Sequence, residues 1–226
     1  MWPTLCAATA DLCWLLSRDY ARPSAVELVG NRYSLRSRQR LAIARCACSE
    51  QEAQHRLSHE VRPEALRGQE LWIDGYNVIT VVETAFAGGV ILRGRDGCCR
   101  DVLGIHRRYR KVQETMPALF LIGEALTVLA VARCRWVLDK PVSNSGRLKT
   151  ILLSIAGERD WDWEVELVPS ADRALIASNR IVATSDSGIL ARSERWFNLA
   201  WTVVSPIVSR ERLVILSGDH GPTLNT

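Results

Sequence analysis

The chain has 226 residues, with 29 basic against 25 acidic side chains, 47% hydrophobic and 7% aromatic residues. That length and balance allow one or two domains with a real core and exclude disorder, collagen-like repetition and a disulfide miniprotein. The net charge of +4 is modest, but between Arg93 and Lys111 seven basic side chains face only Asp96 and Asp101.

Residues 1 to about 60 read as helices, because Leu5, Leu12 and Leu16, and then Leu35, Ile43 and Cys46, recur at helical spacing. Ser24 with Glu27, and Ser49 with Glu52, fit the capping-box pattern. The first 17 residues lack a basic leader and place Asp11 inside their apolar stretch, so neither a secretion signal nor an anchor is expected, and the expected location is cytoplasmic. Arginines at positions 32, 36, 38 and 40 open a predicted helix and suit either a grip on nucleic acid or a contact with an acidic edge of the larger domain. A proline, a glycine and several charges from Arg62 to Gly68 mark a boundary, giving a helical region over 1–68 and a second domain over 69–226.

The second domain changes rhythm. Short runs at Leu71–Ile73, Trp136–Leu138, Val165–Val168, Ile181–Thr184 and Leu213–Leu216 are separated by segments long enough for helices. This is the pattern of an α/β parallel sheet covered by helices on both faces. The longest apolar tract, Met116 to Ala132, is broken by Glu124 and at about 17 residues predicts a buried helix rather than a membrane span. Residues 87–111, rich in Gly and Arg, predict a long loop or lightly structured insertion whose arginines line a substrate path or form a solvated face.

Several chemistries are disfavoured. The seven cysteines are odd in number and form no C-x-x-C pair, which predicts reduced core thiols. His55 and His59 lack the glutamate of H-E-x-x-H, no G-K-[ST] exists, and G-x-S-x-G does not occur, so neither a zinc protease, a nucleotide cofactor nor an α/β-hydrolase is expected. Core packing is the expected use of Trp72, Trp136, Trp163, Trp196 and Trp201.

Three predicted strands run into an aspartate, at Asp74, Asp139 and Asp186, and Asp172 opens a predicted short helix after a fourth. In an open parallel sheet all carboxyl ends share one edge, so these four side chains are expected in one small volume. Two carboxylates 4 Å apart repel by roughly 4 kcal/mol at an effective dielectric of about 20. A hard divalent ion, Mg²⁺ or Mn²⁺, is the cation that oxygen ligands of this kind select. Helix capping is the competing use of each aspartate taken singly. A helix starting near Ser143 or Ser145 would add a phosphate-sized anion site with Lys140, Arg147 and Lys149. Glu83 and Glu124 suit either an extra ligand or a merely structural position.

Ile73-Asp74-Gly75-Tyr76-Asn77-Val78 resembles the opening strand of the NYN type of PIN-like nucleases, whose hallmark is an I-D-G-x-N run with the aspartate on metal. Trp136–Asp139 is similar to that group's second strand-ending aspartate, Ser170–Ile176 to its acidic helix start, and Val182–Asp186 to its final T-S-D strand end. This resemblance covers about residues 70–216, and its four motifs occur in the family's order. End to end, the chain also resembles a prokaryotic family of unknown function in which a helical region precedes a PIN-like domain.

The resemblance implies a Rossmann-like PIN-type sheet and divalent-metal-dependent hydrolysis of RNA phosphodiester bonds by a metal-activated water. Asp74, Asp139, Asp172 and Asp186 would be the catalytic metal ligands, with Asn77 and Ser185 orienting carboxylates or water. Arg93, Arg95, Arg100, Arg107, Arg108 and Lys111 would hold the phosphate backbone. RNA is the expected partner, and no membrane is. The sequence departs from the family pattern in the 61 residues between Asp74 and Trp136 and in the run from Leu138 to Arg147. Two other functions remain compatible: a noncatalytic RNA-binding or assembly module on the same fold, and a small-molecule phosphatase. The phosphatase is the weaker, since Asp74-Gly75-Tyr76 lacks the second carboxylate of an Asp-x-Asp pair.

Overall fold

A computed structural model describes residues 1–102 and 113–216. In chain order its elements are α1 (Trp2–Leu16), α2 (Arg22–Arg32), α3 (Ser37–Cys46), α4 (Glu50–His59), a 3-10 turn (Pro63–Leu66), β1 (Glu70–Asp74), α5 (Gly75–Phe86), β2 (Ile91–Arg93) and β3 (Cys99–Asp101). They continue with α6 (Thr115–Val128), β4 (Arg133–Asp139), α7 (Ser145–Arg159), β5 (Trp163–Val168), α8 (Ala171–Ala177), β6 (Ile181–Ala183), α9 (Ser187–Leu190), β7 (Trp196–Phe197), α10 (Leu199–Val204) and β8 (Leu213–Ile215). The protein is thus α/β, with an all-helical stretch before its first strand.

The chain divides into two compact units: Met1–Ser58, Val90–Leu103 and Ser209–Thr226 in one, His59–Gly89 and Gly104–Val208 in the other. The linear boundary expected near residue 68 therefore differs from the packing, which switches at His59 and returns two later segments to the helical unit. The reason is hydrogen bonding. The predicted loop after residue 87 contains the hairpin β2–β3, and β8 adds to it in parallel, making a three-stranded sheet β3-β2-β8. The final predicted strand thus belongs here and not to the parallel sheet.

In the helical unit Leu12, Leu16, Val29, Ile43 and Cys46 share a core with Leu92 and Leu216. The expected capping box at Ser49 and Glu52 forms, with Ser49 N–H donating to Glu52 Oε2 at 2.8 Å and Glu52 N–H to Ser49 Oγ at 3.0 Å. Ser24 instead lies inside α2, which starts at Arg22 with Ala21 at its cap. Inside this unit Asp96, in the hairpin turn, bridges Arg56 at 2.5 Å and Arg100 at 2.6 Å, and all three are buried or nearly so. Burial alone would raise the Asp96 pKa, but the Arg100 and Arg56 guanidiniums overcome it and hold it at about 2. All seven cysteines are free thiols, and burial pushes Cys46, Cys48, Cys99 and Cys134 up to about 12.

The α/β unit carries a five-stranded, wholly parallel sheet in the order β5-β4-β1-β6-β7. The chain starts in the middle at β1, moves outward through β4 and β5, then returns to the other side of β1 for β6 and β7. That reversal puts the topological switch point between β1 and β6, where open parallel sheets bind ligands beyond their carboxyl ends. Trp136, Ile73 and Leu71 are fully buried in this sheet, and α5, α6 and α10 pack on one another. The tract from Met116 forms α6, with Leu119 and Ile122 buried; among the described residues no helix is long and apolar enough to cross a membrane.

Helices do not cover the sheet completely. On the face that carries α8, Trp72, Arg135 and Glu164 lie side by side in register. Arg135 pairs with Glu164 at 2.7 Å and lies over the Trp72 ring at 5.0 Å. A ladder of charges replaces a covering helix there, which is why β4 and β5 alternate polar and apolar residues at their amino ends instead of forming the continuous runs expected.

Two substitutions test these arrangements. A Cβ at Gly75 would stand 2.4 Å from Leu138 Cδ2 and 3.3 Å from the Val137 carbonyl oxygen. Gly75→Ala should accordingly destabilise the protein by about 1–3 kcal/mol in urea unfolding. Asp96→Ala removes the carboxylate between two buried guanidiniums and should destabilise by roughly 3–5 kcal/mol in the same assay.

Candidate active site

Each aspartate reaches the site by a local rule of chain geometry. Asp74 is the last residue of β1 and the cap position of α5, Asp139 is the last residue of β4, Asp172 lies in the first turn of α8, and Asp186 caps α9 just beyond β6. Because the strands are parallel, all four stand at one edge. The structure brings them together: Asp74, Asp139, Asp172 and Asp186 line a single cleft of about 240 Å³ with Tyr76, Asn77 and Val142. None of these lining residues is basic.

The four carboxylates are held differently. Asp139 Oδ1 accepts from the Ala171 N–H at 2.7 Å, tying the end of β4 to the start of α8. Asp186 Oδ1 accepts from Gly188 N–H at 2.7 Å and Ile189 N–H at 3.2 Å. The capping role open to each aspartate is thus filled by Asp186, while Asp139 binds a backbone N–H of another element. Asp74 is held mainly by a side chain: its Oδ2 accepts from the Thr184 hydroxyl at 2.7 Å, with a weaker contribution from the Asn77 N–H at the start of α5.

Asp74 is 8% exposed. Burial, countered in part by the Thr184 hydroxyl and reinforced by the nearby charges of Asp186 and Asp172, pushes its pKa up to about 7.

Hydrogen bonds stitch β6 to the start of α5. Thr184 Oγ1 donates to Asp74 and accepts from the Asp186 N–H at 3.0 Å, so one hydroxyl spaces two of the four carboxylates. Asn77 Oδ1 accepts from the Ser185 N–H at 3.0 Å and from its hydroxyl, so the two residues expected to orient carboxylates or water are bonded to each other, and Asn77 also lines the cleft. Thr184 and Tyr76 join the site without a role expected from the sequence; they lie inside the T-S-D and D-G-Y-N runs, and the signal for Thr184 is its place two residues before a strand-end aspartate.

The donor set is entirely hard: carboxylates, an amide and a phenol. Among the described residues no three His, Cys, Asp or Glu side chains are already arranged as direct ligands of one ion. That arrangement still suits Mg²⁺ or Mn²⁺, which keep several waters and commonly take only one or two protein carboxylates directly. Asp74 would be such a ligand, since a cation beside it offsets both its burial and its like-charged neighbours.

The other expected site residues lie elsewhere. Arg100 is buried against Asp96, and Arg95 is paired with Glu50, so both guanidiniums serve the packing of the helical unit rather than a phosphate backbone. Arg93 ends β2 in that same unit. Arg107, Arg108 and Lys111 lie outside the described residues. A helix does begin at Ser145, but Lys140, Arg147 and Lys149 are not among the residues lining the cleft. Glu83 is buried and accepts from the Thr115 hydroxyl, whereas Glu124 faces solvent on α6, and neither lines the cleft.

The family model described as "Domain of unknown function (DUF5616)" matches residues 63–202. The chain belongs to this family. A second model, "Protein of unknown function (DUF434)", matches residues 4–59 of the helical unit. Neither description names a nuclease domain of the PIN or NYN type. The DUF5616 match spans all four aspartates, so the cleft lies wholly within it. Uncharacterized protein MJ0935 of Methanocaldococcus jannaschii is 28% identical over 183 residues, covering 81% of this chain and 87% of that protein. No solved structure matches the chain.

The raised pKa of Asp74 sets a sign. A carboxyl whose folded pKa lies above its unfolded value stabilises fully below the unfolded pKa of about 4, and that stability is lost as pH rises through about 7. In EDTA, Asp74→Asn should match wild type near pH 4 and exceed it at about pH 8, by on the order of 4 kcal/mol in thermal or urea unfolding. Adding Mn²⁺ at the higher pH should narrow that gap by stabilising wild type alone.

Proposed function

We propose that the protein is a divalent-metal-dependent endoribonuclease of the PIN-like class, hydrolysing RNA phosphodiester bonds in the cleft at the switch point of its parallel sheet. The observation that carries this reading is the convergence of Asp74, Asp139, Asp172 and Asp186, from four separate strand ends, on one cleft whose lining includes no basic side chain. Carboxylates that share one cleft with no basic side chain in its lining are costly, and Mg²⁺ or Mn²⁺ fits both the charge and the oxygen donors. When bound, the ion supplies Lewis acidity and lowers the pKa of a coordinated water toward neutrality. Asp74 anchors this site. Thr184 keeps Asp74 and Asp186 at a set separation, Asn77 and Ser185 lock the entry of α5 onto the end of β6, and the Asp139 bond to Ala171 N–H holds the Asp172 turn against the cleft.

A noncatalytic RNA-binding module is the reading favoured by a different observation: Asp139 and Asp186 each already give an oxygen to backbone N–H groups. One experiment separates the two. Wild type, Asp74→Asn and Asp186→Asn are incubated with end-labelled single-stranded and structured RNA, in Mn²⁺ or in EDTA. Wild type should release internal cleavage products in Mn²⁺ and none in EDTA. Each variant should lose more than the roughly 10- to 100-fold typical of removing an outer partner of a metal site. Cleavage that EDTA leaves untouched, or equal cleavage by all three proteins, sinks the nuclease assignment.

A further inference from the structure

Charge is divided unequally between the two units. Among the described residues the helical unit carries thirteen basic and eight acidic side chains, a net +5, while the α/β unit carries twelve and sixteen, a net −4. A polyanion is therefore repelled by the unit that holds the aspartate cleft and attracted by the other.

Much of the helical unit's positive charge is already used internally. Arg22, Arg45, Arg56, Arg95 and Arg100 are all in ion pairs within it. Of the rest, Arg18, Arg32, Arg36 and Arg38 are exposed between the end of α1 and the start of α3, and Arg210 and Arg212 are exposed just before β8. On α1, Asp11 and Trp14 are three apart and so share a face, and Arg18 follows in the turn just beyond the helix. Trp14 is 54% exposed, and the Arg18 guanidinium lies over its ring, 3.7 Å from the centroid.

At the other end of this strip, Asp11 accepts from the Tyr33 hydroxyl at 2.8 Å and meets Arg32 at 3.5 Å, where the Arg32 side chain is 71% exposed. An exposed pair of that kind contributes little and opens readily to a competing anion. Arg36 and Arg38 follow, both exposed, at the start of α3, whose first turn has no acidic residue. Cations at a helix amino end oppose the helix dipole, and their presence there is relieved by an added phosphate.

We infer that this α1–α3 surface of the helical unit binds single-stranded RNA. An exposed aromatic ring with a stacked guanidinium offers planes on which any base can stack, and the flanking arginines take phosphates; that pairing defines sequence-tolerant single-strand binding. The inference rests on RNA being the substrate of the aspartate cleft, and gives the helical unit the role of recruiting it.

The test is binding of the full chain to fluorescently labelled oligouridine, read by anisotropy in EDTA across a salt series, so that no cleavage enters the measurement. The triple variant Arg18→Ala/Arg32→Ala/Arg38→Ala should bind at least about tenfold more weakly, and its dependence of log K on log salt should be shallower by about 2, given a slope near 0.7 per phosphate contact on single strands. Trp14→Ala should weaken binding by roughly fivefold or more through lost stacking, with the salt slope unchanged. Arg67→Ala/Arg192→Ala, which removes two exposed arginines of the α/β unit, should bind as wild type does.

Variants that bind like wild type, an equal loss in the Arg67/Arg192 control, or capture by phosphatidylserine vesicles without binding to oligouridine each overturn the inference. Failure of cleavage in Mn²⁺ alongside intact, Arg18-dependent RNA binding would instead overturn the nuclease reading and leave this surface standing.

Discussion

Mutual repulsion among carboxylates at the carboxyl edge of a parallel sheet is the constraint around which the α/β unit is organised. Asp74 bears most of it. It is buried, it has the charges of Asp172 and Asp186 nearby, and only the Thr184 hydroxyl and the Asn77 N–H offset them in part. A fold selected only for stability would place an asparagine or a hydrophobic residue at that position, as an isolated buried charge is among the most unfavourable groups a core can contain. Local destabilisation of this kind is the usual mark of a site whose stabilising partner is a ligand.

The neighbouring groups make sense in the same terms. Asp139 and Asp186 are oriented by backbone N–H groups, which leave each carboxylate a second oxygen for other work. Thr184 and the Asn77–Ser185 pair are short links between β6 and the segment that follows β1, the two strands that flank the switch point. The cleft is therefore built from rigid strand ends and helix starts, not from a flexible loop. Gly75 completes it by letting α5 begin directly against Leu138.

The helical unit solves a different electrostatic problem. Its hairpin inserts Asp96 between two arginines in a region otherwise packed with leucines and thiols, so that charge is neutralised in place. The arginine-rich insertion that looks in the sequence like a substrate track is, in its described part, mainly the internal scaffold of this unit. Exposed positive charge is displayed instead at Arg18 beyond α1, at Arg32 ending α2, and at Arg36 and Arg38 around the start of α3.

Strand ends, aspartates and their common edge were legible in the primary structure because they depend on local rules. A β-branched or aromatic run followed by Asp, then by helical periodicity, states where a strand stops, and parallel pairing does the rest; the helical start of the chain and the buried α6 follow from periodicity in the same way. Pairing partners were not legible. Whether Leu213–Ile215 joins the large sheet or the β2 hairpin is decided by pairing with residues more than a hundred positions away, whether Trp196–Phe197 is a strand at all by pairing with β6, and whether Arg100 faces a phosphate or Asp96 by a hairpin turn that also packs Asp96 against Arg56, forty positions earlier. The strands β2, β3 and β7 carry too little apolar pattern to announce themselves, and a buried arginine reads the same as an exposed one until its partner is in place. By itself, then, the sequence determined the α/β class and the presence of four candidate carboxylates at one edge. Only the tertiary structure decided which charges are neutralised inside the protein and which remain for a ligand, because neutralisation depends on distance in space and on exclusion of water, and neither is written in the order of residues.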